Sequence, residues 1–144
     1  MNLAPTSSPL RLKMLEAAIK NEPGFVVDDC ELHRGSPSYT IDTVELIERR
    51  EGPDEIYYFV GEDNVAGLPA WHRFQELQNM VQFVVLDRTG FHTQPGYPIL
   101  QRHIDISATD IRNRVASGHS IRYLVPPAVE AIIRDQQLYR EPNQ

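Results

Sequence analysis

Ile106-Ser107-Ala108-Thr109-Asp110-Ile111-Arg112 places two hydroxyls and a guanidinium where an apolar run gives way to a helix. A helix start offers unpaired N–H donors and roughly half a positive charge, to which Ser107 and Thr109 add hydroxyl donors and Arg112 a forked cation. Such a corner suits a phosphate group. The same residues are also ordinary capping residues, and Arg112 is equally able to pair with a surface carboxylate. Sequence around this corner must separate the two readings.

Three further patterns precede it. Ser38-Tyr39-Thr40 stands at a helix start, where N–H groups and hydroxyls either receive a carboxylate or simply cap the helix. Gly61-Glu62-Asp63 follows an apolar strand, and Asp63 there is either an acceptor for ribose hydroxyls or a turn residue. Trp71, the single tryptophan, is either a stacking face for a planar ring or a core anchor beside Phe74 and Leu77. Arg88, just past the third strand, either helps with phosphates or is an exposed charge.

Elements able to hold these groups are legible in the periodicity. A helix is expected over about 8–20, with Leu12, Leu15 and Ile19 on one face, backed by Met14 and Ala18, and Asn21-Glu22-Pro23-Gly24 as its stop. Phe25-Val26-Val27 with Cys30 and Leu32 reads as a short strand, and Arg34-Gly35-Ser36-Pro37 as a loop. A second helix spans about 40–50, capped by Ser38 or Thr40 and ended by Gly52-Pro53. Ile56 to Val60 and Val81 to Leu86 are continuous apolar runs, the pattern of strands buried on both faces. Between them a helix is expected around 71–79, and Arg88 to Tyr97 reads as a polar loop. A short strand to Ile106, a helix over 107–117 with Gly118 as its C-cap, and a last helix over about 126–137 complete the chain. Helices alternating with apolar strands imply a parallel α/β sheet, and ligands in such sheets sit beyond the carboxyl ends of the strands. Gly61 to Asp63 and Ser107 to Arg112 are both expected at such ends, facing one crevice.

Composition narrows the function. A length of 144 residues with 41% hydrophobic content fits one domain with a real core. A net charge of −6 without any Lys/Arg block argues against nucleic acid or an anionic membrane as the main partner. The lone Cys30 excludes a disulfide framework and an all-cysteine zinc site, and suits a reducing compartment. His33, His72, His92, His103 and His119 show no metal-ligand spacing, so no metal site is expected. The first nine residues lack the apolar core of a signal peptide, and no stretch approaches the ~20 apolar residues of a membrane span. A cytoplasmic protein is expected.

In order and spacing, Ser38-Tyr39-Thr40-Ile41-Asp42-Thr43, Gly61-Glu62-Asp63, Trp71 and Ile106 to Arg112 resemble the bacterial nicotinate mononucleotide adenylyltransferases, a branch of the nucleotidyltransferase superfamily. The likeness runs from Arg11-Leu12-Lys13-Met14-Leu15 to Leu138-Tyr139. It implies a Rossmann-like, doubly wound parallel sheet and transfer of the adenylyl group of ATP to nicotinate mononucleotide, with Mg²⁺ on the departing pyrophosphate. It also implies Gly61 and Asp63 on the nucleotide, Ser107, Thr109 and Arg112 on the phosphates, and Ser38, Tyr39, Thr40, Trp71 and Arg88 on the acceptor side. Catalysis of that kind needs positioning and charge stabilisation rather than a protein nucleophile.

The superfamily's opening strand, G-x-F-x-P-x-H-x-G-H loop, helix and second strand do not precede the first helix here. Its histidines face the ATP phosphates, so the catalytic residues of this chain stay unassigned. The expectation is an N-terminally truncated domain, a crossover unit of roughly 30 or more residues short, with Met1 a misassigned start or the chain a piece of a longer protein. Loss of a central strand leaves unpaired edges and apolar faces that favour pairing with another chain, a homo-oligomer. Two alternatives stay open: a non-catalytic nucleotide-binding remnant, and an adenylyltransferase for another acceptor such as phosphopantetheine, against which Ser38 to Thr43 argue.

Overall fold

The structure is a computed structural model that describes residues 6–87, 96–101 and 106–140. Its elements in chain order are α1 (Ser8–Ile19), α2 (Thr40–Glu51), β1 (Tyr57–Gly61), α3 (Glu62–Val65), α4 (Phe74–Met80), β2 (Gln82–Asp87), β3 (Ile99–Gln101), α5 (Ala108–Ala116) and α6 (Pro127–Asp135), with short 3₁₀ turns at Cys30–Leu32 and Leu68–Ala70. They divide into two compact units, 33–105 and the pair of segments 1–32 and 106–144.

The 33–105 unit is built on a parallel sheet of order β1-β2-β3. Tyr58 pairs with Phe83 and Val60 with Val85, so these four side chains share one face. That face is buried against Ile41 and Val44 of α2, Val65, Leu68, and Phe74 and Leu77 of α4. The opposite face is different: Tyr57 and Phe59 are exposed. The expected burial of both faces is therefore corrected for β1, because among the described residues the helices of this unit cover the Val60–Val85 side, whereas on β2 the opposite residues Val84 and Leu86 are half-buried. Among the described residues β1 is an edge strand.

Glycine at position 52 ends α2 as expected. Its φ of +56° suits a residue without Cβ, and its N–H donates to the Glu48 carbonyl. The expected cap is not used, since Tyr39 holds the N-cap position and makes no side-chain cap bond. The helix expected from Trp71 begins only at Phe74, because Arg73 adopts a left-handed backbone, φ +53° and ψ +39°, that a continuing helix cannot contain.

In the other unit, Ile121, Val129 and Ile133 form a small core onto which Met14, Ala17, Ala18, Ile111, Val115 and Leu138 pack. The contacting stripe of α1 is Met14–Ala17–Ala18 and Leu15 is exposed, so the expected Leu12–Leu15–Ile19 face is rotated. Residues 25–32 are not a strand. Phe25 and Val26 lie exposed, and the Asp28 carboxylate accepts the Cys30 N–H at 3.0 Å, bending the chain into a turn. Among the described residues no helix is long and apolar enough to cross a membrane.

Candidate nucleotide site

In the 33–105 unit, the loop before α2 brings Ser38, Tyr39 and Thr40 to a helix start. Arg34 fastens it, its Nη1 donating to Ser38 Oγ at 3.4 Å and to Thr43 Oγ1 at 3.1 Å. Tyr39 then stacks on His72, ring centroids 4.0 Å apart and planes 22° from parallel. The neighbouring Trp71 is half-buried, meeting Tyr58 edge-on at 5.8 Å and Phe83 at 6.5 Å. Trp71 thus packs on the core with part of its ring accessible, one residue from the ring that covers Tyr39. The structure brings Ser38, Tyr39, Thr40 and the Trp71 segment together within one unit.

Gly61 ends β1 and Asp63 sits in the single turn of α3 that follows. An added Cβ on Gly61 would stand 2.6 Å from Asp63 Oδ1, so the absence of a side chain at 61 is what lets that carboxylate lie over the strand end. Asn64 Nδ2 donates to the same oxygen at 3.3 Å. Because Gly61 pairs with Leu86, these groups lie at the carboxyl ends of adjacent parallel strands, where α/β sheets receive ligands. Asp87, 1% exposed, ends β2 beside them.

Ser107, Thr109 and Arg112 belong to the other unit and occupy the first turns of α5. Ser107 Oγ accepts the Asp110 N–H at 3.0 Å, the capping bond expected of a serine at that place. Arg112 Nη2 donates to Thr109 Oγ1 at 3.3 Å, which brings the guanidinium to the helix start. Asp110 is held by Arg114 at 2.8 Å. Thr109 and Arg112 are thus joined at the helix start that Ser107 caps. Arg88 lies outside the described residues.

Four residues beyond the sequence-derived set shape these places: Arg34, His72, Arg73 and Asp87. Arg73 joins two helices, with Nη2 2.8 Å from Glu45 Oε1 of α2 and 2.7 Å from Glu76 Oε2 of α4, while Nε donates to Glu76 Oε1 at 2.9 Å. Hydrogen bonding to Glu76, then to Glu45, raises the guanidinium pKa, and the reciprocal bond holds Glu76 below the usual carboxylate range. An acid closing an apolar run was the available signal for Asp87. None marked His72 or Arg73, whose partners Tyr39 and Glu45 lie on another segment, or Arg34, which bonds within its own loop and the helix that follows.

Comparison with known proteins gives the family and the fold. Residues 2–114 match the cytidylyltransferase-like family. The nicotinate-nucleotide adenylyltransferase of Bacillus subtilis is 36% identical over 137 residues, an alignment spanning 93% of this chain and 72% of that protein. A Geobacillus thermodenitrificans protein named for the same activity is 42% identical over 137 residues, covering 93% of this chain and 63% of its own length. The chain thus spans between 63 and 72% of these two relatives. In fold, it is similar to a nicotinic acid mononucleotide adenylyltransferase of Plasmodium falciparum solved with NaAD, at TM-score 0.71 and 18% identity, covering 94% of this chain and 76% of that one. The parallel α/β arrangement is accordingly Rossmann-like. Sequence kinship over nearly the whole chain, with the expected motifs at a helix start, a strand end and a second helix start, shows that the chain belongs to the cytidylyltransferase-like family, in its nicotinate-nucleotide adenylyltransferase branch.

Proposed function

We propose that this chain serves adenylyl transfer from ATP to nicotinate mononucleotide, giving nicotinate adenine dinucleotide and pyrophosphate, in the making of NAD. The observation that carries the reading is the Tyr39–His72 stack beside Trp71, which frames the start of α2 with flat rings. A pyridine carboxylate fits a helix start that offers N–H groups and the Ser38 and Thr40 hydroxyls, while its ring finds aromatic neighbours. Asp63 would accept the ribose hydroxyls of the nucleotide at the end of β1. Ser107, Thr109 and Arg112 would bind phosphate oxygens through α5 N–H groups, hydroxyls and the guanidinium. Arg88 is proposed for the acceptor side.

In this reading the phosphate of nicotinate mononucleotide attacks the α-phosphorus of ATP and the bond to the β-phosphate oxygen breaks. Charge accumulates on the leaving pyrophosphate, and the Arg112 cation with the α5 dipole stabilises it. Mg²⁺ would enter as part of the ATP complex, neutralising charge on the departing pyrophosphate. Residues 1–144 would act as one nucleotidyltransferase domain, in the cytoplasm. A homo-oligomer is favoured by the open edge of β1, with Tyr57 and Phe59 exposed.

Purified chain mixed with ATP, Mg²⁺ and nicotinate mononucleotide should release pyrophosphate, with the Bacillus subtilis relative as positive control. Binding of nicotinate mononucleotide without turnover supports the non-catalytic remnant instead. Turnover with phosphopantetheine but not nicotinate mononucleotide overturns the acceptor assignment.

A further inference from the structure

Three consecutive residues reach three different parts of the 33–105 unit. Trp71 packs on Tyr58 and Phe83 of the sheet, His72 stacks on Tyr39 at the N-cap of α2, and Arg73 reaches Glu45 in the body of α2. Arg73 does so from a left-handed backbone that any residue bearing a Cβ adopts reluctantly. Local preference does not favour an arginine there. Its side-chain bonds do: the guanidinium fork takes both oxygens of Glu76 and one of Glu45, so a single planar group fixes the start of α4 against α2. The fixed segment is the one that carries His72 over Tyr39.

We propose that Arg73 is a positioning residue for the nicotinate half of the acceptor, tying Glu45 to Glu76 so that the Trp71–His72 segment is held against the Ser38–Thr40 corner. This rests on the adenylyltransferase reading given above. Arg73 touches no substrate in it. It reduces the freedom of the rings that do, and preorganised contacts bind more tightly than ones ordered by the ligand.

Trp71 is the single tryptophan, so its fluorescence reports on this segment. Wild type, Arg73→Gly, Arg73→Lys and Glu45→Gln are titrated separately with nicotinate mononucleotide and with ATP, by fluorescence and calorimetry, alongside thermal melts. Glycine suits the left-handed backbone, so Arg73→Gly removes the fork without adding strain. The expected result is about tenfold weaker binding of nicotinate mononucleotide in Arg73→Gly, with ATP affinity within about twofold of wild type. Arg73→Lys should recover part of the loss, and Glu45→Gln should weaken the same ligand by about threefold. Unchanged nicotinate mononucleotide affinity in a folded Arg73→Gly protein overturns the proposal, and so does an equal loss for both ligands with a lowered melting temperature. Wild type that binds ATP but not nicotinate mononucleotide defeats the adenylyltransferase reading itself, and the positioning role with it.

Discussion

Tyr39 and His72 face each other at 4.0 Å, though one precedes α2 and the other precedes α4. The stack closes the start of α2 on one side and gives the exposed His72 ring a partner. Replacing His72 by alanine should lower unfolding free energy by about 0.5 kcal/mol, the small end for ring pairs because both rings are exposed. Urea titration measures this, and His72→Phe should restore it. Loss of stability in both variants alike shows the stack to be incidental.

Gly61→Ala sets a Cβ 2.6 Å from Asp63 Oδ1. A carboxylate is a mobile end that yields more readily than backbone, so the fold should survive with Asp63 displaced. ATP affinity is expected to fall about tenfold, while the melting temperature changes little. Calorimetric titration with ATP checks it, and an Asp63→Ala variant with normal ATP affinity counts against the ribose role.

Ser107 both caps α5 and belongs to the proposed phosphate corner, and two substitutions divide the roles. Ser107→Ala should destabilise by about 1 kcal/mol and Ser107→Gly by only a few tenths, since glycine is tolerated at an N-cap. Both remove the hydroxyl, so both should weaken pyrophosphate and ATP binding to the same degree. Affinities that follow stability instead reduce Ser107 to a cap.

Leu77 has no exposed surface and stands in the core between α4 and the sheet. Leu77→Ala should cost about 3 kcal/mol through lost transfer energy and a residual cavity. The 33–105 unit contains most of the buried apolar residues, so its amides should lose hydrogen-exchange protection together.

Glu76 titrates below the ordinary carboxylate range, first because Arg73 donates hydrogen bonds to it. A lowered folded-state pKa contributes stability that is present above the unfolded value and is lost as pH falls through the folded one. Glu76 is solvent-exposed and the contribution is correspondingly small. Carbon NMR of the Glu76 carboxylate should show its midpoint moving up toward the usual range in Arg73→Gly. An unmoved midpoint rejects the bidentate pair in solution.

Local signals were sufficient for several features that depend on residues a few positions apart. The ends of α2 at Gly52 and of α5 near Gly118, the Ser107 cap, the apolar runs of β1 and β2, and the motifs at Ser38 to Thr40, Gly61 to Asp63 and Ser107 to Arg112 all follow from backbone preference, capping and periodicity. Kinship to the nicotinate-nucleotide adenylyltransferases was legible for the same reason, since it resides in short ordered motifs. Residues 25–32 turn through a bond between near neighbours, Asp28 to Cys30, which the apolar pattern of Phe25 to Val27 obscured. Tertiary structure alone decided that Tyr57 and Phe59 stay uncovered, that Asp87 is buried, and that Arg73 leaves the helical path to join Glu45. Each depends on what another segment brings alongside, and no residue type or spacing within the segment itself encodes the arrival of that partner.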